Sequence, residues 1–263
     1  MAITTLDGYI GAVKHRLTWM KTGTRTLVAA MPYTVFDVAG SPGAGALNVG
    51  NTANGLVPTD AVAGYPVIPS FAGQSGYLAR VEYGSSVSCC FDVYDRLFVA
   101  GAYTFNADVT LASQPSFAGR LPNAGVYSGL QLWIEAVTAH TGNKSVQINY
   151  LDQDGNAGDT GVVALGLAPP LGRAMQIPLA AGDNGIQQIT RVRGSVSTVG
   201  TWNVMILRPL WFARVITANG GDVHDLLRTG FPKIFEDSAL YVLLYAASAA
   251  VGLPDLTFQV AVG

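Results

Sequence analysis

The side chains that most often carry chemistry are present in this sequence, but their spacing works against it. His15, His140 and His224 stand far apart, and none has a second His or a Cys at metal-ligand spacing. His15 in VKHRLTW and His140 at the tip of TAHTGN read as surface or turn residues, and His224 reads as the exposed face of a short helix. None is therefore expected to serve as a general acid or base. Cys89 and Cys90 are neighbours, so on a strand they point to opposite faces and cannot readily bond to each other. Two packed free thiols are expected. Asp152-Gln153-Asp154-Gly155-Asn156, with Asp159, alternates oxygen ligands as a Ca²⁺ loop would. The glycine comes two positions early for an EF-hand, however, and Val163 stands where the twelfth-position Glu belongs. A polar hairpin tip is the better reading.

Nucleophile and phosphate motifs fail in the same way. Gly73-Gln74-Ser75-Gly76 is one residue short of a nucleophile elbow. Gly142-Asn143-Lys144-Ser145 has the Lys and Ser of a phosphate loop, but Asn occupies the glycine position. Gly43, Gly45 and Gly50 neither follow a strand nor open a helix, so they form no dinucleotide fingerprint. No catalytic, cofactor-binding or metal-ligating residue is expected, and the chain reads as a structural protein and not an enzyme.

The elements that would position a site are those of an all-β protein. The 31 Gly and 13 Pro cut the 263 residues into short runs rich in β-branched and aromatic side chains. Strands are expected over Leu27–Phe36, Tyr77–Tyr83, Val87–Tyr94, Gly129–Thr138, Ser145–Tyr150, Gly161–Leu165, Ala174–Pro178, Gly185–Val192, Thr201–Leu207 and Leu256–Val262. In one of them Val146, Ile148 and Tyr150 alternate with Ser145, Gln147 and Asn149, the period of a strand with one buried face. Asp154-Gly155 and Gly142-Asn143 are turn signals. A short helix is expected at Val223–Arg228, with Asp222 as its cap and Gly230-Phe231-Pro232 as its stop. Asp237-Ser238 could cap a second helix through Tyr245, although Tyr241–Tyr245 fits a strand equally well. The fold class is all-β: a jelly-roll or β-sandwich body, a long extended arm or loop, and one or two short helices.

Charged residues make up 12% of the chain, against roughly 25% in an average soluble domain. Four Trp, 11 Tyr and 10 Phe exclude disorder as the cause. So bare a surface is poorly defended against association, which points to an exterior covered in an oligomer or lattice. A net charge of −2 and scattered basic residues argue against a nucleic-acid partner. The most apolar run, Ala239 to Leu253, is shorter than the roughly 18 residues a membrane span needs. The amino terminus lacks a basic-then-apolar signal layout, so synthesis in a cytosol is expected, and Asn143-Lys144-Ser145 carries no meaning as a glycosylation sequon.

Residues 38–76 differ in kind from the rest, being dense in Gly, Ala and Pro with Asp60 as the one charge. Leu47, Val49, Leu56, Val57, Tyr65 and Phe71 recur through the segment and are the candidate interface residues. It reads either as an arm laid on a neighbouring subunit or as a loop folded over the chain's own core. Residues 1–37 supply N-terminal strands, and 77–263 form a jelly-roll body that makes one domain with them. Trp211, Phe212, Tyr241 and Tyr245 are assigned to that body's core.

Two blocks carry a resemblance. Tyr150-Leu151-Asp152-Gln153-Asp154-Gly155 is followed by Ile177 to Ile186, IPLAAGDNGI, and then by a strand ending in Leu207-Arg208-Pro209-Leu210. With GDVHDLLRTG and SALYVL, the pattern resembles tailed-bacteriophage virion proteins of the capsid cement, or decoration, type. The resemblance implies a jelly-roll subunit on the capsid surface, assembled in the host cytoplasm, that clamps neighbouring major capsid subunits and stabilises the mature head. Its partners would be the major capsid protein and copies of itself, as a homo-oligomer such as a trimer. Neither nucleic acid, membrane nor cofactor is implied. A tail, collar or fibre-base protein is the alternative. A carbohydrate-binding jelly-roll module is a second, with Tyr127, Trp133 and His140 as its seed.

Overall fold

The computed structural model describes residues 2–23, 25–166, 169–195, 199–250 and 252–263. The chain opens on helix α1 (Leu6–Gly11), then strands β1 (Val13–Lys21), β2 (Pro32–Thr34), β3 (Gly40–Ser41) and β4 (Asn51–Leu56). Next come β5 (Gly76–Ser85), the long β6 (Cys89–Thr104), β7 (Asp108–Thr110), β8 (Gln131–Ala136) and β9 (Ser145–Asp152). Four short or medium strands follow: β10 (Ala157–Asp159), β11 (Val163–Ala164), β12 (Ala174–Ile177) and β13 (Ile186–Gly194). The second long strand, β14 (Thr201–Val215), leads into β15 (Gly220–His224), α2 (Leu226–Thr229), β16 (Lys233–Ile234), β17 (Leu240–Ala246) and β18 (Pro254–Val262). Among the described residues the fold is all-β with two short α-helices, as the punctuation of the sequence implies.

Three antiparallel sheets organise these strands. The first runs β15-β5-β18-β1-β3, with β16 also on β5; the second runs β10-β9-β13-β7, with β11 also on β9. The third runs β12-β8-β14-β6-β17-β2, with β4 also on β6. This third sheet is shared. Phe91, Val93, Trp211 and Val215 from its long strands pack with Trp19, Val81 and Phe258 of the first sheet. Further along the same strands, Tyr103, Trp202, Val204 and Ile206 pack with Ile148, Tyr150 and Ile189 of the second. The result is two sandwiches built on one pair of strands. Two of the three register shifts in the β14–β6 ladder fall between the two cores, between Ile206 and Leu207 and between Pro209 and Trp211; the third, between Trp202 and Val204, lies within the second core. Bulges of this kind bend a sheet, which lets one sheet serve two facing partners.

At the bend lies a buried ion network. Asp95 accepts hydrogen bonds from Arg120, from Arg208 Nη2 at 3.0 Å, from Ser238 Oγ at 2.9 Å and from the Ala239 N–H at 3.0 Å. Arg96, next in sequence, pairs with Glu135 at 3.2 Å. Glu135 also accepts from Asn203 Nδ2 at 2.9 Å and from the Tyr241 hydroxyl. A buried carboxylate persists only when counter-charge and donors replace its lost water, and both acids meet that condition.

The segment 38–76 is anchored to its own chain by buried side chains along its length, with exposed residues such as Val67 between them. Leu47 and Tyr65 are buried in a third cluster with Phe36, Tyr94, Trp133, Met205 and Tyr241 on the outer side of the shared sheet, and Val49 and Leu56 pack half-buried against it. Val57 packs against the second core, and Phe71 is buried in the first. Polar ties fix the backbone. Lys21 Nζ donates to the carbonyls of Val38 and Pro42 at 3.0 and 3.1 Å, Tyr103 to Thr52 at 2.7 Å, and Asn203 to Leu47 at 2.8 Å. A Cβ at Gly45 or Gly64 would lie 2.2 or 2.4 Å from the Phe36 ring, so the glycines that suggested an arm are there to let a ring through. Of the two readings the structure has the loop. Leu47, Tyr65 and Phe71 are interior residues, which corrects their assignment as contacts with a neighbour; a side chain already buried has no surface left to offer.

Other expectations are corrected too. Leu27–Phe36 is strand only at β2: its first residues turn, with the Leu27 and Ala30 N–H groups bonded to Ala249 and Ala246, and its last enter the loop. The stretch from Gly220 to His224 is a strand, and α2 begins later, capped by Asp225, whose carboxylate accepts the N–H groups of Leu227 and Arg228 at 3.1 and 3.2 Å. Asp237 caps no helix: Leu240–Ala246 is β17, an interior strand of the shared sheet between β6 and β2. Phe212 is exposed, whereas Trp211 and Tyr241 are buried as assigned.

Candidate interaction surface

The residues singled out for chemistry serve the fold. Asp152 Oδ1 accepts the backbone N–H groups of Asp154 and Asn156, each at 2.8 Å, and closes the β9–β10 hairpin. Burial works against its charge, but the hydrogen bonds from Asn156, Asp154 and Gly155 hold its carboxyl below the usual aspartate range. Among the described residues, no group of His, Cys, Asp and Glu could hold a metal ion. Cys89 and Cys90 are free thiols.

The two sequence blocks behind the resemblance turn out to be halves of one unit. Tyr150 is fully buried; its hydroxyl donates to Asp183 Oδ2 at 2.6 Å and accepts the Ala180 N–H at 2.7 Å. Burial first, and the Asp183 carboxylate second, push the phenol up to about 12. Gln153 continues the seam, accepting the Asn184 N–H at 2.9 Å through its side chain and Gln187 Nε2 at 3.0 Å through its carbonyl. Gly158 lies over the Tyr150 ring, where a Cβ would come within 2.4 Å of ring carbon. These residues are spent on holding a hairpin to the loop before β13.

The histidines depart from their expected places. His140 is buried against Phe105, edge to face at 4.6 Å, with Nε2 3.0 Å from the Thr201 carbonyl and Nδ1 without a partner. Burial, with the Lys144 charge as a lesser cause, brings its pKa down to about 4 despite the Thr201 carbonyl. His224 ends β15 and is hydrogen-bonded on both sides: Nδ1 accepts the Trp211 Nε1–H at 3.0 Å, so Nε2 carries the proton and donates to the Tyr83 hydroxyl oxygen at 3.2 Å. His15 is half-buried on β1, stacked with Phe71. Trp133 is buried as well, so Trp133 and His140 cannot stack on a sugar, and the carbohydrate-binding seed is undone.

What remains outside is unusual. Eight of the 32 charged residues are buried: Lys21, Asp95, Arg96, Arg120, Glu135, Lys144, Asp152 and Arg208. An already charge-poor chain thus presents still fewer charges to its surroundings. Large apolar side chains stand out in their place. Phe212 is 77% exposed, Ile216 79% and Leu227 82%. They form two regions. One is a cleft of about 500 Å³ between α1 and α2, lined by Ile3, Leu6, Tyr9, Leu227 and Phe231. Helix α1 buries none of its own residues; it is held by its cap, where Thr5 Oγ1 accepts the Gly8 N–H at 3.0 Å, and by Lys14 Nζ on the Tyr9 and Ala12 carbonyls, each at 2.8 Å. The second region is the far end of the shared sheet, where Phe212, Arg214 and Ile216 alternate outward while Trp211, Ala213 and Val215 face the first core. Burial raises the neighbouring Asp92 carboxyl above the ordinary range, with hydrogen bonds from Tyr245 and Tyr94 opposing it. Sequence reasoning missed this surface because nothing local states which parity of LWFARVI faces in.

No family model matches the chain, and no curated protein matches it in sequence. The structure of infectious bursal disease virus Gx strain is 10% identical with a TM-score of 0.18, covering 95% of this chain and 80% of that chain. The VP2 subviral particle of infectious bursal disease virus is 9% identical with a TM-score of 0.19, covering 96% of this chain and 81% of the other. Likeness at these scores carries no argument about fold or role.

Proposed function

We propose that this chain is a structural subunit of a virus particle, and within that class a cement protein on the head of a tailed phage. The observation that carries the reading is the inversion of the surface: charge buried in the ion network, and Phe212, Ile216, Leu6, Ile10 and Leu227 standing outside. Contiguous apolar surface costs solubility unless a partner covers it. In this reading the partners are the major capsid protein and further copies of the chain, and the place of assembly is the host cytoplasm. The mechanism is mechanical. Each subunit adds buried area across a seam between capsid subunits, and about 1,600 Å² is a normal size for a specific contact. Repetition over a lattice multiplies the effect. The resemblance carried by the Tyr150–Gly155 and Ile177–Ile186 blocks supports a particle protein, although the work of those residues lies within the fold.

Cryo-EM of intact particles, with immunogold labelling against this chain, tests the location: density over the head supports cement, and label confined to the tail sinks it in favour of a tail, collar or fibre-base subunit. Particles lacking the protein are expected to release DNA at lower temperature or on osmotic shock. Unchanged robustness removes the clamping role.

A further inference from the structure

The far half of β14 is an open sheet edge. β8 pairs with β14 from Trp202 to Leu207 and then stops. From Arg208 to Val215 the strand is bonded on one side, to Asp95–Cys89 of β6, and no other described strand takes its second side. In an antiparallel ladder every other residue turns its N–H and C=O away from the partner. A row of unpaired backbone donors and acceptors therefore runs beside Trp211–Arg214, where no backbone bond to a loop takes them up either; at Val215 the carbonyl already accepts the Ser88 hydroxyl at 3.0 Å.

Proteins usually blunt such an edge with lysine, proline, a bulge or a covering loop. Here Pro209 and the bulge beside it protect the Arg208 end only. Beyond them the outward side chains are Phe212, Arg214 and Ile216, two large apolar groups and a single charge. An unprotected edge flanked by exposed apolar side chains fits an extended strand as its complement, and the chain's own edge is self-complementary. Antiparallel pairing about a two-fold axis needs a central residue that tolerates its own copy. Centred on Arg214, the pairing would set two guanidinium groups against each other. Centred on Phe212, it sets ring against ring and keeps the paired stretch short, since Leu210, buried in the first core at the bulge, ends it on either side.

We infer that two copies of this chain join through β14, antiparallel about a two-fold axis at Phe212, which makes one continuous sheet of the two shared sheets. The inference goes beyond the particle reading and stands on β14 alone. The paired backbone supplies the hydrogen bonds and Phe212 the apolar contact, the usual division of labour in strand addition. A dyad of this kind is an isologous interface, in which one patch serves both subunits.

Light scattering on the purified full chain, from low to high micromolar concentration, is expected to give twice the 27.5 kDa chain mass. Phe212→Asp places two like charges on the axis and is expected to weaken the dimer at least tenfold, with circular dichroism unchanged because the side chain is exposed. In a Cys90→Ser background, Phe212→Cys is expected to oxidise to a disulfide-linked dimer joined at position 212. Leu227→Cys, equally exposed but in the other apolar region, serves as the control. A wild-type chain that stays monomeric at every concentration overturns the inference and leaves the particle reading to its own test. So does a dimer indifferent to Phe212→Asp, a trimeric mass, or a cysteine at 212 that links no faster than one at 227.

Discussion

Replacing Asp95 with asparagine removes one charge from the bend between the two sandwiches and should weaken both. The carboxylate faces two buried guanidinium groups, of Arg120 and Arg208, and accepts two further hydrogen bonds from Ser238 and Ala239. Asparagine has nearly the same shape, so packing is kept while the counter-charge is lost, and its amide NH₂ must also point at a guanidinium group, which only donates. Breaking a buried ion pair from one side costs about 3–5 kcal/mol, chiefly because the remaining charge is left without a partner. At about 2 °C per kcal/mol for a chain of this length, the melting midpoint should fall by roughly 6–10 °C. Differential scanning calorimetry gives the midpoint. Tryptophan fluorescence and far-ultraviolet circular dichroism should then show one coincident transition, since Trp19 and Trp211 report the first core and Trp202 the second. Asp108→Asn is the control, because its pairs with Arg191 and Arg193 are open to solvent and should leave the midpoint nearly unmoved. The reasoning is refuted if Asp95→Asn melts with the wild type. It is also refuted if one core loses stability while the other keeps it, because the network would then belong to a single sandwich.

Three further outcomes follow. Leu47→Ala should cost about 2–5 kcal/mol in the isolated chain, as for any buried leucine, whereas the exposed Val67→Ala should cost little; chemical denaturation separates the two, and equal effects would return Leu47 to the surface. Tyr150→Phe should cost about 1–3 kcal/mol by leaving the Ala180 N–H and Asp183 without their partner, and exchange of the Ala180 amide measured by NMR should speed up with it. The folded chain resists protonating His140 until about pH 4, while the unfolded chain takes the proton near 6.5. The stability this group contributes is therefore complete above pH 6.5 and falls by about 3 kcal/mol as pH drops through that window. His140→Gln should flatten that slope in urea titrations at pH 7, 5.5 and 4.5.

Strand period was the most legible feature of the sequence. Ser145–Tyr150 alternates in the structure as it does in the letters, because one face meets the second core and the other meets water. Tyr241–Tyr245 resisted the same reading: a central strand is apolar on both faces, and its letters do not distinguish it from a buried helix. The segment 38–76 was legible as unusual but not as to whose surface it covers. Spaced apolar residues say that something is buried, and only the packing of Phe36 between Gly45 and Gly64 says where. Asp222 and Asp225 are equally good caps by type, and pairing of Gly220–His224 with β5 decided between them. By its letters Phe212 reads as a core residue, like Trp211 beside it. Its parity is set by the bulge at Pro209, a feature of the ladder and not of the local letters.

The two long strands also decide how the molecule carries load. Because β6 and β14 run unbroken through both sandwiches, a pull on one lobe reaches the other along covalent backbone. The ladder between the two long strands lies along that pull and is strained in shear, so that many bonds must fail together and not one after another. Two lobes joined by a mere contact would part at the contact. A subunit made this way resists being drawn out lengthwise, and its weakest direction lies across its sheets and not along them.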